Sequence, residues 1–124
     1  MHSKELIEGV ANQFAEILDN SEQGIYLYLD DTLKVCNKNF ADLLGYDSPE
    51  EWASVQTSFP QAFVAESSQE DLVVSYQEAM SKKIGTQAQI TWKRKDGKMV
   101  KTEVILVPVA FDGHLFALHF ITKK

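Results

Sequence analysis

The side chains able to do chemistry in this chain are few and far apart. His2 lies near the start, His114 sits beside a turn, and His119 lies on an apolar strand between Ala117 and Ile121. None of the three falls in a metal-ligand spacing, and the one cysteine, Cys36, is distant in sequence. Cys36 stands in a strand, away from any obvious cation that would lower its pKa, and reads as a small hydrophobe. Glu50-Glu51 and Glu70-Asp71 are adjacent carboxylates, yet each pair sits in the first turn of a helix, where capping and the helix dipole account for them. No G-x-S-x-G, phosphate-binding loop or dinucleotide fingerprint is present. No catalytic and no metal-ligating residue is therefore expected, which leaves binding.

The elements that would position a binding site centre on Ile25–Tyr46. Ile25, Leu27 and Leu29 alternate with Tyr26 and Tyr28, the period of a strand. Asp30-Asp31-Thr32 is a polar turn, and Leu33 to Cys36 is the returning arm of a hairpin. Asn37 is placed to cap a helix carrying Phe40, Leu43 and Leu44, which Gly45 ends in the left-handed conformation. Upstream, Leu6, Ile7, Val10, Phe14, Ile17 and Leu18 form one stripe of an amphipathic helix over Ser3–Leu18, with Ser3 as its N-cap. Downstream, Ser48-Pro49-x-Glu51 opens a short helix over Pro49–Val55, and Pro60–Ala65 reads as one more turn. Ser67-x-x-Glu70 opens a helix with Leu72, Val73, Tyr76, Ala79 and Met80 on one face, ended by Gly85. Three strands follow, joined at Asp96-Gly97 and Asp112-Gly113. The order is a helix, a β-hairpin, three helices and a three-stranded meander. It fits an α+β fold: one five-stranded antiparallel sheet closed by pairing its first strand with its last, helices on one face, and an added N-terminal amphipathic helix.

The run Asn37-x-x-Phe40-x-x-Leu43-Leu44-Gly45-Tyr46, with Lys93-Arg94-Lys95-Asp96-Gly97 and Pro108-Val109 farther on, resembles the PAS domain family from about Phe14 to Thr122. The resemblance implies a non-enzymatic sensory and dimerisation module of a signalling protein. It divides the chain into an N-terminal helix, 1–20, for capping or dimerisation and a PAS-like domain, 21–124. No cofactor is expected. The N-C-R-F-L-Q run of flavin-binding members is missing, and the helix over Glu70–Lys83 holds no histidine for haem. Of the family's closing Asp-Ile-Thr, Phe120-Ile121-Thr122 keeps only the last two residues. The usual route of signal into a following helix is thus in doubt, or the sequence is a piece of a longer protein.

Charge limits the partners. Residues 1–85 carry five basic and fifteen acidic side chains, whereas 86–124 carry seven and three, for a total of −6. An acidic body argues against general nucleic-acid binding, and the basic group Lys93, Arg94, Lys95, Lys98 and Lys101 reads as a solvated hairpin tip. The longest apolar run, Val104–Phe111, has eight residues, too few to span a bilayer, and the N-terminus lacks the apolar core of a signal peptide. A cytoplasmic location without membrane insertion is expected. Phe40, Leu43, Phe63, Leu72, Tyr76, Ile90, Trp92 and Leu106 are the candidate lining of a small-molecule pocket between sheet and helices. The last strands are apolar on both faces, which marks an interaction surface. Leu6, Ile7, Val10, Phe14 and Ile17, with Ile105 and Val107, are the candidate homodimer interface. The alternative is a small α+β enzyme or ligand carrier using the pocket with His119 or Tyr76, which predicts convergent polar groups in the cavity.

Overall fold

Asn37 fixes how the chain enters the fold. Its side-chain Oδ1 accepts from the Ile25 and Phe40 backbone N–H groups, both at 3.0 Å, while Nδ2 donates to Gln23 O at 2.9 Å. One buried side chain thus ties the start of the first strand, the end of the second and the helix that follows. The computed structural model describes residues 3–124; His2 lies outside them. The elements are α1 (Ser3–Gln13), α2 (Ala15–Asn20), β1 (Gly24–Asp30), β2 (Leu33–Cys36), α3 (Lys38–Leu43), α4 (Pro49–Ala53), α5 (Phe59–Phe63), α6 (Glu66–Lys82), β3 (Thr86–Lys93), β4 (Met99–Phe111) and β5 (His114–Lys123).

The five strands form one sheet in the order β2-β1-β5-β4-β3, every pair antiparallel. The first strand pairs with the last, Gly24 with Ile121 and Tyr28 with Ala117. Helices α3–α6 cover the inner face. The core there gathers Tyr26, Phe40, Trp52, Phe59, Phe63, Ile90 and Trp92. On the outer face α1 lies over the middle of the sheet, where Leu6, Ile7 and Val10 pack on Ile25, Leu27, Phe116 and Leu118. Each of those three helix side chains contributes about 1.5–3 kcal/mol by leaving water. The centre of the sheet is therefore covered on both sides, which is why its strands are apolar in both alternation classes.

Several boundaries depart from the sequence pattern. The N-terminal helix is not continuous over Ser3–Leu18. Phe14 leaves helical geometry (φ −106°, ψ 14°), so the chain turns while keeping the bonds Phe14 N to Val10 O and Leu18 N to Phe14 O. Phe14 and Leu18 still pack on the outer cluster, but Ile17, beyond the turn, is 42% exposed. Helix α4 stops at Ala53, short of Val55, with Ser48 Oγ accepting from Glu51 N at 3.0 Å as its cap. Ser67 does not cap α6. The helix starts two residues earlier than that cap would place it, at Glu66, and Ser68 Oγ accepts from Thr91 N on β3 at 2.9 Å. Nor does Gly85 end it: Lys83 takes the left-handed conformation (φ 58°) first. At Asp112-Gly113 both residues have positive φ, 50° and 79°, the twist that a tight antiparallel hairpin needs.

Candidate functional site

Tyr26 on β1 stands opposite His119 on β5, and their side chains share the inner face. The two rings stack at 3.8 Å between centroids and 11° between planes. Two residues along β1, Tyr28 crosses Phe59 of α5 and Tyr76 of α6 edge-to-face, at 5.1 and 5.4 Å. One carboxylate sets this corner. Asp31 Oδ1, in the turn after β1, accepts from Tyr28 Oη and from Phe59 N, both at 3.0 Å. The turn thereby fixes both the Tyr28 ring and the start of α5. Between these groups lies a pocket of about 60 Å³, lined by Tyr26, Tyr28, Phe59, Pro60, Leu72, Val73, Tyr76 and His119.

Sequence reasoning named eight candidates, and the structure brings two of them, Leu72 and Tyr76, to this pocket. Phe40, Phe63, Ile90 and Trp92 are packed core, and Leu43 is partly buried against them. Leu106 packs instead with Ala79 and Ala117. Tyr26, Tyr28, Phe59, Pro60 and Val73 were missed as lining, and His119 was named only in the enzyme or carrier alternative. A tyrosine at the middle of a strand that pairs with the last strand was the available signal, since a buried tyrosine keeps its hydroxyl near a partner. Here that partner is missing. Tyr26 Oη, on a residue only 1% exposed, has no hydrogen-bond partner among the described residues.

His119 is neutral by construction. Burial pushes its imidazole down to about 3, outweighing the opposing contacts with the Ala117 and Tyr26 backbone. Its Nδ1 lies 3.1 Å from Ala117 O; a carbonyl only accepts, so Nδ1 carries the proton and Nε2 holds a lone pair. An unfolded histidine titrates near 6.5. Between 6.5 and about 3 the unfolded chain binds more protons, so this group's contribution is full above 6.5 and is lost as pH falls. We expect the parent to lose about 2–3 kcal/mol more than a His119→Phe variant between pH 6.5 and 4.5. Urea unfolding at the two pH values measures this. Equal losses in both proteins would show that His119 accepts a proton without disturbing the fold.

A second buried ionisable group closes the other end of the inner face. Lys34 on β2 is 3% exposed. Its Nζ donates to the carbonyls of Asp31 at 2.6 Å, Val55 at 2.5 Å and Ala53 at 3.4 Å, and stands 5.6 Å over the Trp52 ring. Desolvation lowers its pKa, opposed by nearby Asp31. It pins the segment after α4, where carbonyls at a helix end favour a cation. At the β3–β4 tip, Arg94 Nη1 donates to Leu43 O at 2.6 Å, so this part of the basic group ties the hairpin to α3. Cys36 is buried, and desolvation pushes its thiol well above the usual range, which leaves it unreactive. No group of three or more His, Cys, Asp or Glu among the described residues is placed to hold a metal.

Of the candidate interface residues, Leu6, Ile7 and Val10 are buried by the chain's own sheet. Phe14 and Val107 are partly buried, and Ile105 is 43% exposed on β4. No helix among the described residues is long and apolar enough to cross a membrane.

Comparison with known proteins agrees with this architecture. A PAS domain from Colwellia psychrerythraea superposes with a TM-score of 0.72 at 19% identity, over 93% of this chain and 97% of that one. The PAS domain of an HTR-like protein from Haloarcula marismortui gives 0.66 at 22% identity, over 97% and 96%. A PAS domain from a two-component sensor histidine kinase gives 0.68 at 15%, over 94% and 99%. At these identities the likeness speaks for the fold. No curated protein matches the sequence. The family model described as PAS domain matches residues 12–76, just over half of the chain. With that match and the sheet order above, this chain belongs to the PAS domain family, the sensory fold of signalling proteins.

Proposed function

We propose that the chain is a non-enzymatic sensory module that takes a small molecule in the Tyr26–His119 pocket and works as a homodimer. One observation carries the ligand half: a pocket walled by the rings of Tyr26, Tyr28, Phe59 and Tyr76 is built between the sheet and the helices α5 and α6. The volume bounds the ligand. About 60 Å³ is less than half of the roughly 150 Å³ that admits benzene to an apolar cavity, so a ligand of a few heavy atoms fits. Beside His119 and three tyrosines the lining is apolar, with no serine, cysteine, lysine or carboxylate in it, which favours sensing over catalysis.

For the dimer, the support is the apolar surface that α1 leaves open. Ile17 and Ile105 are exposed, with Phe14 and Val107 partly so, while α1 and α2 act as the cap. Two copies about a two-fold axis bury such remnants, and a specific interface clears roughly 1,000 Å². A cytoplasmic location and coupling to an output domain or protein accompany this role. Native mass spectrometry and sedimentation test both halves. The expected result is a dimer at tens of micromolar, converted to a folded monomer by Ile17→Glu with Ile105→Glu, and a small adduct that Tyr76→Trp removes. A monomeric parent overturns the dimer; an adduct that survives in Tyr76→Trp places the ligand elsewhere.

A further inference from the structure

The composition of the pocket wall narrows the ligand class, given the reading of the pocket as a ligand site. Phe59, Pro60, Leu72 and Val73 bring only carbon and hydrogen to it. The rest of the wall is the rings of three tyrosines and His119, and no charged side chain is among the lining residues. The polar atoms of these rings are largely engaged elsewhere. Tyr28 Oη donates to Asp31 Oδ1 at 3.0 Å, and Asp31 is not part of the wall. His119 Nδ1 is turned to Ala117 O of its own strand at 3.1 Å, and the Tyr26 ring covers one face of the imidazole at 3.8 Å. The Tyr26 ring is itself enclosed by Phe40, Phe59, Trp52 and Trp92, with centroids at 4.9, 5.3, 5.8 and 5.8 Å, so its hydroxyl lies within the aromatic core. Tyr76, half-buried, meets Tyr28 edge-to-face. What the wall offers a ligand is carbon.

We infer that the pocket takes a light hydrocarbon of two or three carbons. Scaled from the roughly 150 Å³ that admits six-carbon benzene, about 60 Å³ holds two to three carbons. Such a molecule gains by leaving water, in proportion to the apolar area it hides, and the rings and aliphatic side chains around it supply close contacts. A diatomic gas hides less area and gains less. Water makes few hydrogen bonds in a pocket so lined, so the ligand displaces little that is ordered. A hydroxyl or ammonium group leaves its hydration behind on entry, and a wall of this composition returns little of it.

The test is titration of the purified chain at neutral pH with propane, ethanol and ethylammonium, which share an ethyl group and differ only in the third heavy atom. The Leu72 and Val73 methyl resonances report on the pocket, and thermal unfolding reports on stability. Propane should shift both methyl sets saturably and raise the unfolding temperature. Ethanol should bind about tenfold more weakly, and ethylammonium should move neither set. Tyr76→Phe keeps the ring without the hydroxyl and should bind propane as the parent does. Val73→Phe and Tyr76→Trp, both at half-buried positions, fill the pocket and should abolish the propane shift at Leu72. Ethanol or ethylammonium binding as tightly as propane, or loss of propane binding in Tyr76→Phe, overturns the hydrocarbon class while the pocket stands. A propane shift that persists in whichever filled variant folds places the hydrocarbon elsewhere and overturns the inference. If none of the three compounds moves the methyls, and xenon under pressure does not either, the pocket itself fails as a ligand site.

Discussion

Trp92→Ala is expected to lower stability by about 3–5 kcal/mol, with a matching fall in the urea midpoint. Trp92 has no exposed surface. Its ring meets the edges of Phe40 at 5.2 Å and Tyr26 at 5.8 Å, close to perpendicular in both cases. The indole Nε1 donates to Thr102 Oγ1 at 2.7 Å, and that hydroxyl donates in turn to Ile90 O at 2.9 Å. Alanine opens a cavity among rings that cannot collapse onto it and takes the donor from a threonine that is 1% exposed. Trp92→Phe separates the two effects. It keeps most of the packing and loses the hydrogen bond, so its cost should be about 1–3 kcal/mol. Midpoints equal to the parent's for both variants would place Trp92 outside the cooperative core.

The second large effect is expected at Asn37. Asn37→Ala removes three hydrogen bonds at once and leaves the N–H groups of Ile25 and Phe40 unpaired, on residues that water does not reach. A lost cap costs about 1 kcal/mol on an exposed helix, but here the penalty is two buried donors, so about 2–4 kcal/mol is expected. Asn37→Asp keeps the acceptor and should regain part of the loss. Amide hydrogen exchange gives the local readout: protection of Ile25 and Phe40 should fall more than that of β3 and β4 residues. Uniform loss across the sheet would mean that Asn37 contributes only to global stability.

Periodicity exposed much of this fold. The β1–β2 hairpin, the Asn37 cap, the left-handed Gly45 and the final meander all rest on local rules, and each stands where the local rule puts it. What periodicity could not supply was direction. Ile25 and Tyr26 point to opposite faces of β1, yet both are buried, because α1 and the helices α3–α6 cover the two sides. Alternation separates the classes without saying which one meets a pocket. Lys34 shows the same limit: a lysine between Leu33 and Val35 reads as the wet side, but carbonyls from three residues hold it in the interior. Ser67 shows another: a serine three residues before a glutamate suits a capping site, yet α6 starts without a side-chain cap, and it is the neighbouring Ser68 that bonds β3. The pocket was the least legible part, because it is set where β1, β5, α5 and α6 converge from four separate stretches of sequence.

The sheet order carries a consequence for how the chain reaches this state. β1 and β5 are neighbours at the middle of the sheet, although Gly24 and Ile121 are nearly a chain length apart. A two-stranded β1–β2 hairpin is marginal by itself in water. On a ribosome that adds roughly 5–20 residues per second, the apolar side chains of β1 therefore wait for about 5–20 s before β5 emerges. Contacts at this separation also favour slow folding, in the millisecond-to-second range. During that interval α1 is the one nearby element able to shield Ile25 and Leu27, through Leu6 and Val10. The N-terminal helix then covers the same face of β1 that it covers in the finished sheet, while the edge of β1 stays open until β5 arrives.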